Sequence, residues 1–510
     1  MIVNNAMYPL PSSYSGITKL QTQLDTLQQQ LASGLKASSL ADMGTSRFTD
    51  LTVRSQLSRL SAYDTNINTV NLRLNMMNQV LTSLSTVNSN SRANSTPGAY
   101  GTNNINLTTA PSTAQTELDQ VLGTLNTDIN GHYLFGGGTT QAPPVATLDT
   151  ALNGSGSLAG FKTVAAQRLQ ADQGADGLGR LTLSTTGNAT TLAEDGAHPF
   201  GFKLSSVGTS SSAVTVTQPA TTSPASLSVQ FASQPAAGDT VSIGLKMPDG
   251  TTDTLSMKAV TGTPKNPGEF QIGADANATA ANFNTSLQSS LQTEGSTKLA
   301  VASNYAAANN FFNSSGQSVQ RVAVDTATSS YYTATGYETA AQTAGDTVQW
   351  YTGENSASAR ASVSTKVDDS TNVSYGAEAN EYGFTQLVRS LAVQAIQTYP
   401  ATDDATTNAS QARFDAVAAG QQANLSAAND STPGSIASIS VDLGLAQTTL
   451  KNLSAQHTAY SSQLQDVLST AEQADPNEIA SALLELQTRL SASYSATAMI
   501  SQLQLANYLK

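Results

Sequence analysis

Apolar residues in alternating three- and four-residue steps run along both ends of the chain, and the middle lacks them. Ile17, Leu20, Leu24, Leu27 and Leu31 keep this step, and after a break Val53, Leu57, Leu60, Tyr63, Ile67, Val70, Leu74, Met77, Leu81, Leu84 and Val87 resume it. Toward the other end Ile436, Ile439, Leu443, Ala446, Leu450, Leu453, His457, Tyr460, Leu464, Val467 and Ala471 keep heptad spacing. A last segment carries Ile479, Leu483, Leu486 and Leu490, then Tyr494, Met499, Leu503 and Leu509. A narrow stripe of this kind is stable only against another helix. The stretches 53–87 and 436–471 would each form roughly 50 Å of rod at 1.5 Å per residue.

The spacing predicts helices over 12–34, 47–90, 114–130, 381–399, 409–430, 434–472 and 477–508. Ser33-Gly34, Thr96-Pro97-Gly98 and the triple glycine Gly136-Gly137-Gly138 interrupt the first half. Glycine supplies turn conformations and loses much backbone entropy on ordering. Pro400 and Pro433 separate the later segments, and Asp475-Pro476 reads as a cap and first turn. From about 141 to 380 the period becomes strand-like. Leu227, Val229 and Phe231 alternate with polar residues, and so do Val241, Ile243 and Leu245 before Pro248-Asp249-Gly250, a hairpin signal. A short helix near 278–293 and a strand near 299–303 would complete a small α+β module over about 220–305. The segment 347–375 alternates again. The fold class expected is mainly α with a β-rich insert. A long antiparallel coiled-coil or helical-bundle rod comes from both termini, with one or more α+β or β outer domains between them.

Composition narrows the function. The formal charge of −13 argues against nucleic acid and anionic membrane surfaces as partners. No cysteine is present, so disulfide and thiolate chemistry are excluded. Met1 to Ser15 lacks a basic segment followed by an apolar one, so no secretory leader is expected, nor any membrane insertion. A polar, uncleaved N-terminus fits a cytoplasmic protein or export by a machine that threads unfolded chains. The three histidines, His132, His198 and His457, have no close His or carboxylate motif, so no metal site, cofactor or catalytic residue is expected. His457 fills a ladder position and reads as a polar residue setting register. The triple glycine lacks the Gly-Lys-Ser/Thr of a phosphate loop, and Trp350 and Tyr351 beside Tyr331-Tyr332 read as core packing rather than glycan stacking.

Several local sequences resemble the flagellin family, and within it the hook–filament junction proteins. Gln28-Gln29-Gln30-Leu31-Ala32-Ser33-Gly34-Leu35-Lys36 is similar to the family's "SSG-hydrophobic/basic" hinge. Tyr133-Leu134-Phe135-Gly136-Gly137 resembles the "YLFxG" turn ending the N-terminal rod helices, and Trp350-Tyr351-Thr352-Gly353-Glu354 resembles the "YxG" strand returning to the rod. The stretch from Asp475 to Leu509 is similar to the family's closing helix. Two departures stand beside these. The junction proteins' "SDDP" is replaced by Ser39-Leu40-Ala41-Asp42-Met43, and the filament flagellins' "RINSAKDDAAG" is absent too.

The resemblance implies a non-enzymatic structural subunit of the bacterial flagellum, secreted by type III export without a cleaved signal peptide. It implies as partners a second hook-associated protein, flagellin, copies of the chain itself and an export chaperone. The expected domains are an inner-core helix at 1–40, rod halves at 41–140 and 381–473, an outer insert at 141–380 and a second inner-core helix at 474–510. The residues expected to carry assembly are Ile17, Leu20, Leu24, Leu27, Leu31, Leu57, Leu60, Ile67, Leu74, Leu81, Leu443, Leu450, Leu453, Leu464, Leu483, Leu486 and Leu490. Ser33 and Gly34 would form the hinge, and Leu134, Phe135, Gly136 and Gly137 the turn. The segments 12–34 and 477–508 would be left with nothing to cover their apolar faces until subunits stack. A filament-forming flagellin and, more distantly, a glycan-binding adhesin-like appendage subunit remain alternatives.

Overall fold

A computed structural model describes residues 10–99, 106–339, 345–400 and 408–508. The first nine residues of the polar N-terminus and Leu509 of the last apolar ladder lie outside them. In chain order the numbered helices are α1 (Leu10–Ser33), α2 (Ser46–Ala93), α3 (Ala110–Leu125), α4 (Leu148–Asn153), α5 (Phe161–Gln173), α6 (Ala276–Ser296), α7 (Lys298–Phe311), α8 (Tyr382–Ala395), α9 (Ala409–Asn424), α10 (Ile436–Glu472) and α11 (Pro476–Tyr508). The strands are β1 (Asp128–Ile129), β2 (His132–Tyr133), β3 (Gly154–Ser155), β4 (Leu158–Ala159), β5 (Leu181–Thr186), β6 (Ala189–Glu194), β7 (Lys203–Thr209), β8 (Val214–Thr217), β9 (Ser226–Phe231), β10 (Thr240–Lys246), β11 (Thr252–Val260), β12 (Glu269–Gln271), β13 (Ser364–Lys366) and β14 (Asn372–Ser374). Two compact units result: residues 1–71, 365–373 and 448–510 form the first, and 72–364 with 374–447 the second.

Within the first unit two helix pairs run antiparallel. Tyr460 reaches Gln56, His457 reaches Asp64 and Glu472 reaches Arg54, so α10 rises as α2 falls. Val53, Leu60 and Leu464 pack together with Leu57 and Leu468 between these helices. Gln21 donates to Tyr494 Oη at 2.8 Å, and Leu27 shares a groove with Leu486, which sets α1 against α11 in the same sense.

The second unit holds a β region and a helical region. Its sheets run β12-β11-β10-β7 and β5-β6-β9-β8, antiparallel throughout except for the β11–β12 pair. The alternation read in sequence becomes the inner face. Leu227, Val229 and Phe231 of β9 and Val241, Ile243 and Leu245 of β10 are buried in one core with α6. Phe231, Phe270 and Phe283 meet there edge to face at 5.2–5.9 Å between ring centroids. The β10–β11 connection closes through Gly250, whose φ of 91° is left-handed and whose N–H donates to Met247 O at 3.0 Å. In the helical region α3 packs on α8, α5 on α7, and α7 and α9 on α8.

Three expectations need correction. The strand expected at 299–303 is part of α7, which buries Leu299, Val301, Tyr305, Ala308 and Phe311 and so has no polar face to read. The helix expected over 114–130 stops at Leu125, because the Asn126 amide binds both Val145 O (2.9 Å) and Val145 N (3.1 Å), and β1–β2 follow. Residues 347–375 do not form a continuous ladder: Thr347 and Tyr351 make isolated bridges, a 3₁₀ turn covers Ala359–Ser362, and only the short β13–β14 pair follows. No helix among the described residues is long and apolar enough to cross a membrane.

Candidate assembly surface and glycine turn

The two breaks that set off the terminal helices lie side by side in the first unit. Gly34 adopts φ +70°, a left-handed end to α1, and its N–H donates to Gln30 O at 2.8 Å. The chain then pairs with the α10–α11 junction. Lys36 N donates to Glu472 O (2.7 Å), Ala474 N to Gly34 O (3.0 Å), and Lys36 Nζ to Thr470 O (2.6 Å). Asp475 begins α11 by accepting from Asn477 N at 2.8 Å, with Pro476 as the first helical residue. Ser33 holds the corner through its hydroxyl, which accepts from Leu35 N at 3.2 Å.

The terminal helices are not bare, as the sequence suggested; they cover each other. Ile17, Ile479 and Leu486 are buried, and Leu20, Leu24, Leu27, Leu483 and Leu490 are half-buried. The coverage is incomplete. Leu31 is 48% exposed, Leu484 67% and Met499 60%, while Phe48 and Leu51 near the start of α2 and Leu35 and Leu40 before it are also exposed. In the rod helices Leu60, Ile67, Leu74, Leu81, Leu443, Leu450 and Leu464 are buried and Leu57 and Leu453 half-buried. Those side chains are internal to the subunit. Of the exposed apolar residues, Leu31 and Met499 belong to the repeats read in sequence and Leu484 does not.

The glycine turn lies in the second unit, and each of its glycines is closed in by a near neighbour. A Cβ on Gly136 would lie 2.2 Å from Thr139 O, and one on Gly138 would lie 2.7 Å from Glu354 Oε2. Gly137 has φ +62° and faces Glu354 and Glu378. The backbone is tied on both sides. Glu354 N donates to Gly136 O (3.0 Å), Gly138 N to Glu354 Oε2 (2.6 Å), Gly137 N to Ala377 O (3.0 Å) and Ala379 N to Phe135 O (2.8 Å). Leu134 and Phe135 are buried, the latter edge-on to Phe384 at 5.7 Å. The two local sequences read separately, 133–137 and 350–354, therefore meet in space. Glu354 is the residue that joins them.

Sequence reasoning missed the acidic residues behind this turn. Ser356 donates to Glu378, and Arg360 pairs with Glu381. Burial raises the carboxyls of both Glu378 and Glu381 above the usual range, against the pull of Ser356 and Arg360 respectively. No pattern flags them, because their spacing is local and their meaning comes from the turn they abut. Among the described residues no group of three or more His, Cys, Asp or Glu side chains is arranged to hold a metal ion.

Residues 3–140 match the family model of the bacterial flagellin N-terminal helical region, which supports the flagellin family for this chain and with it a structural role. The match contains α1, α2, α3 and the glycine turn up to Thr140. No curated protein matches the chain.

Proposed function

We propose that this chain is a structural subunit of the bacterial flagellum acting as an adaptor between hook and filament, the part played by hook-associated protein 3. The observation that carries the flagellar reading is the match over residues 3–140, in a region whose helices pair with the C-terminal ones. The adaptor reading rests on the Leu134–Gly138 turn and its tie to Glu354. In this reading the chain catalyses nothing and transmits torque through packed helices. It is exported as an unfolded chain with a chaperone's help, and it meets the second junction protein, flagellin and its own copies outside the cell. The exposed residues Leu31, Leu484 and Met499 become buried when subunits stack. Each buried Leu or Met contributes about 1.5–3 kcal/mol, which offsets the ordering entropy once several are covered together.

Electron microscopy of the purified chain, with and without isolated hooks carrying the partner junction protein, tests this reading. Addition only to hook ends is expected, and the double variant Leu484→Asp/Met499→Asp should fold but not add. Long regular filaments of the chain alone would make it a filament flagellin instead. Neither filaments nor hook binding would overturn the assembly reading.

A further inference from the structure

The strongest apolar ladder of the chain contains a histidine, and the first unit builds a small polar site around it. His457 of α10 is 4% exposed. Its Nδ1 lies 3.0 Å from Asp64 Oδ1 of α2, and its Nε2 lies 4.0 Å from Asp368 Oδ1 at the tip of the β13–β14 hairpin. That Nε2 is buried without a hydrogen-bond partner. The tip is held by three further contacts with α2. Tyr63 Oη donates to Asp369 Oδ1 at 2.8 Å, Asn66 Nδ2 to Lys366 O at 3.0 Å, and Arg59 lies 4.0 Å from Asp369. A cavity of about 340 Å³ lies beside His457, lined by Arg59, Tyr63, Asp368, Asp369, Gln56 and Tyr460.

The titratable and charged groups around the ring are Asp64, Arg59 and Tyr63 from α2, Tyr460 from α10 and Asp368 and Asp369 from the hairpin. Asp369 is answered by Tyr63 and Arg59, while Asp368 Oδ1 accepts from Asp369 N at 2.7 Å and also faces the imidazole. A neutral imidazole has one N–H, so it donates to one carboxylate and turns a lone pair toward the other. Only the imidazolium donates to both. Imidazole is also the side chain whose charge ordinarily changes between about pH 5 and 8.

We propose that His457 and the hairpin tip form an acid-tightened latch, in which the protonated ring binds Asp64 and Asp368 together and holds residues 365–373 against α2 and α10. Loss of that proton leaves two electron-rich atoms face to face where the buried ring meets the half-exposed carboxylates, and the tip loosens while Tyr63 and Asn66 keep it tethered. Closing the 4.0 Å gap to hydrogen-bond distance is the movement the latch requires. The device is independent of the flagellar reading, since it lies within one chain.

The absence of cysteine permits a clean test. Ser370 is exposed at the tip and outside the contacts above, so Ser370→Cys in the full chain carries a single nitroxide. Its immobilised fraction in the electron paramagnetic resonance spectrum should be at least twofold larger at pH 5.5 than at pH 8. The change should vanish in His457→Gln, which keeps a polar amide but cannot become charged. An equal pH response in that variant, or none in the parent, overturns the latch. Should His457→Gln not fold, Asp368→Asn on the exposed tip decides the matter: a response reduced at least twofold supports the latch, and an undiminished one overturns it.

Discussion

Replacing Gly136 with alanine should destabilise the second unit far more than the same change at Gly131. The alanine Cβ would sit 2.2 Å from Thr139 O, a backbone atom that can move only with its peptide. That movement strains two hydrogen bonds to Gly136 O, from Thr139 N at 3.2 Å and Glu354 N at 3.0 Å. Each contributes about 0.5–1.5 kcal/mol, and with the steric term the expected loss is about 2–4 kcal/mol. Gly138→Ala meets only the flexible Glu354 carboxylate, at 2.7 Å, which can swing toward water, so about 1–2 kcal/mol is expected. Gly131→Ala meets nothing within 4 Å and bears only the strain of φ +79°, about 1–2 kcal/mol. Trp350, the one tryptophan, is the natural probe. It is buried, its indole donates to Asn313 O at 3.1 Å, and it stands on the segment leading to Glu354. Urea unfolding followed by its fluorescence should shift by about 1 M for Gly136→Ala, taking a slope near 3 kcal/mol/M. A loss under about 0.5 kcal/mol, or one smaller than that of Gly131→Ala, would refute the contact argument.

Two further outcomes are expected. Leu450→Ala, at a fully buried position, should cost about 2–5 kcal/mol in circular-dichroism melts, whereas Leu484→Ala, 67% exposed, should change monomer stability by less than about 0.5 kcal/mol; equal effects would contradict the assignment of core and surface. For Glu378, burial raises the folded carboxyl above its usual range, so the folded state binds more protons and this stabilisation is present at acid pH and lost as pH rises through the raised value. Glu378→Gln mimics the protonated form, so its stability relative to the parent should improve from pH 4 to pH 8 by Trp350 fluorescence. A difference that does not change with pH would contradict the raised carboxyl.

The long helices were legible because one apolar stripe faced one partner, which leaves a period in the sequence. Helix α7 was not, and the reason is its environment. It is enclosed on most sides, with Ala300, Ser303 and Asn304 buried beside Leu299 and Val301, so polarity carries no phase. Helix α5 hid for a related reason. Arg168 and Asp172 sit inside it as a buried pair at 2.7 Å, and a charged residue in the core defeats a pattern built on exposure. The hairpin of β10 and β11 was readable because its turn residues and its alternation agree on the same register.

The residues named for assembly show the same limit from the other direction. Heptad positions identify what a helix must bury, and most of Leu57 to Leu81 and Leu443 to Leu464 do so inside the subunit. Left exposed are Leu31, where the α1 stripe runs past its cover, Met499, late in the α11 ladder, and Leu484, which lies off that ladder. A periodic pattern cannot mark a residue such as Leu484, since an apolar side chain outside the repeat looks like noise until the partner helix is placed. The glycine turn behaves likewise. Its sequence declares a bend, but the requirement for glycine at 136 and 138 comes from Thr139 O and from a carboxylate 216 residues away in the chain. Local sequence therefore locates the joints of this protein, while the contacts made at each one set how costly a side chain there would be.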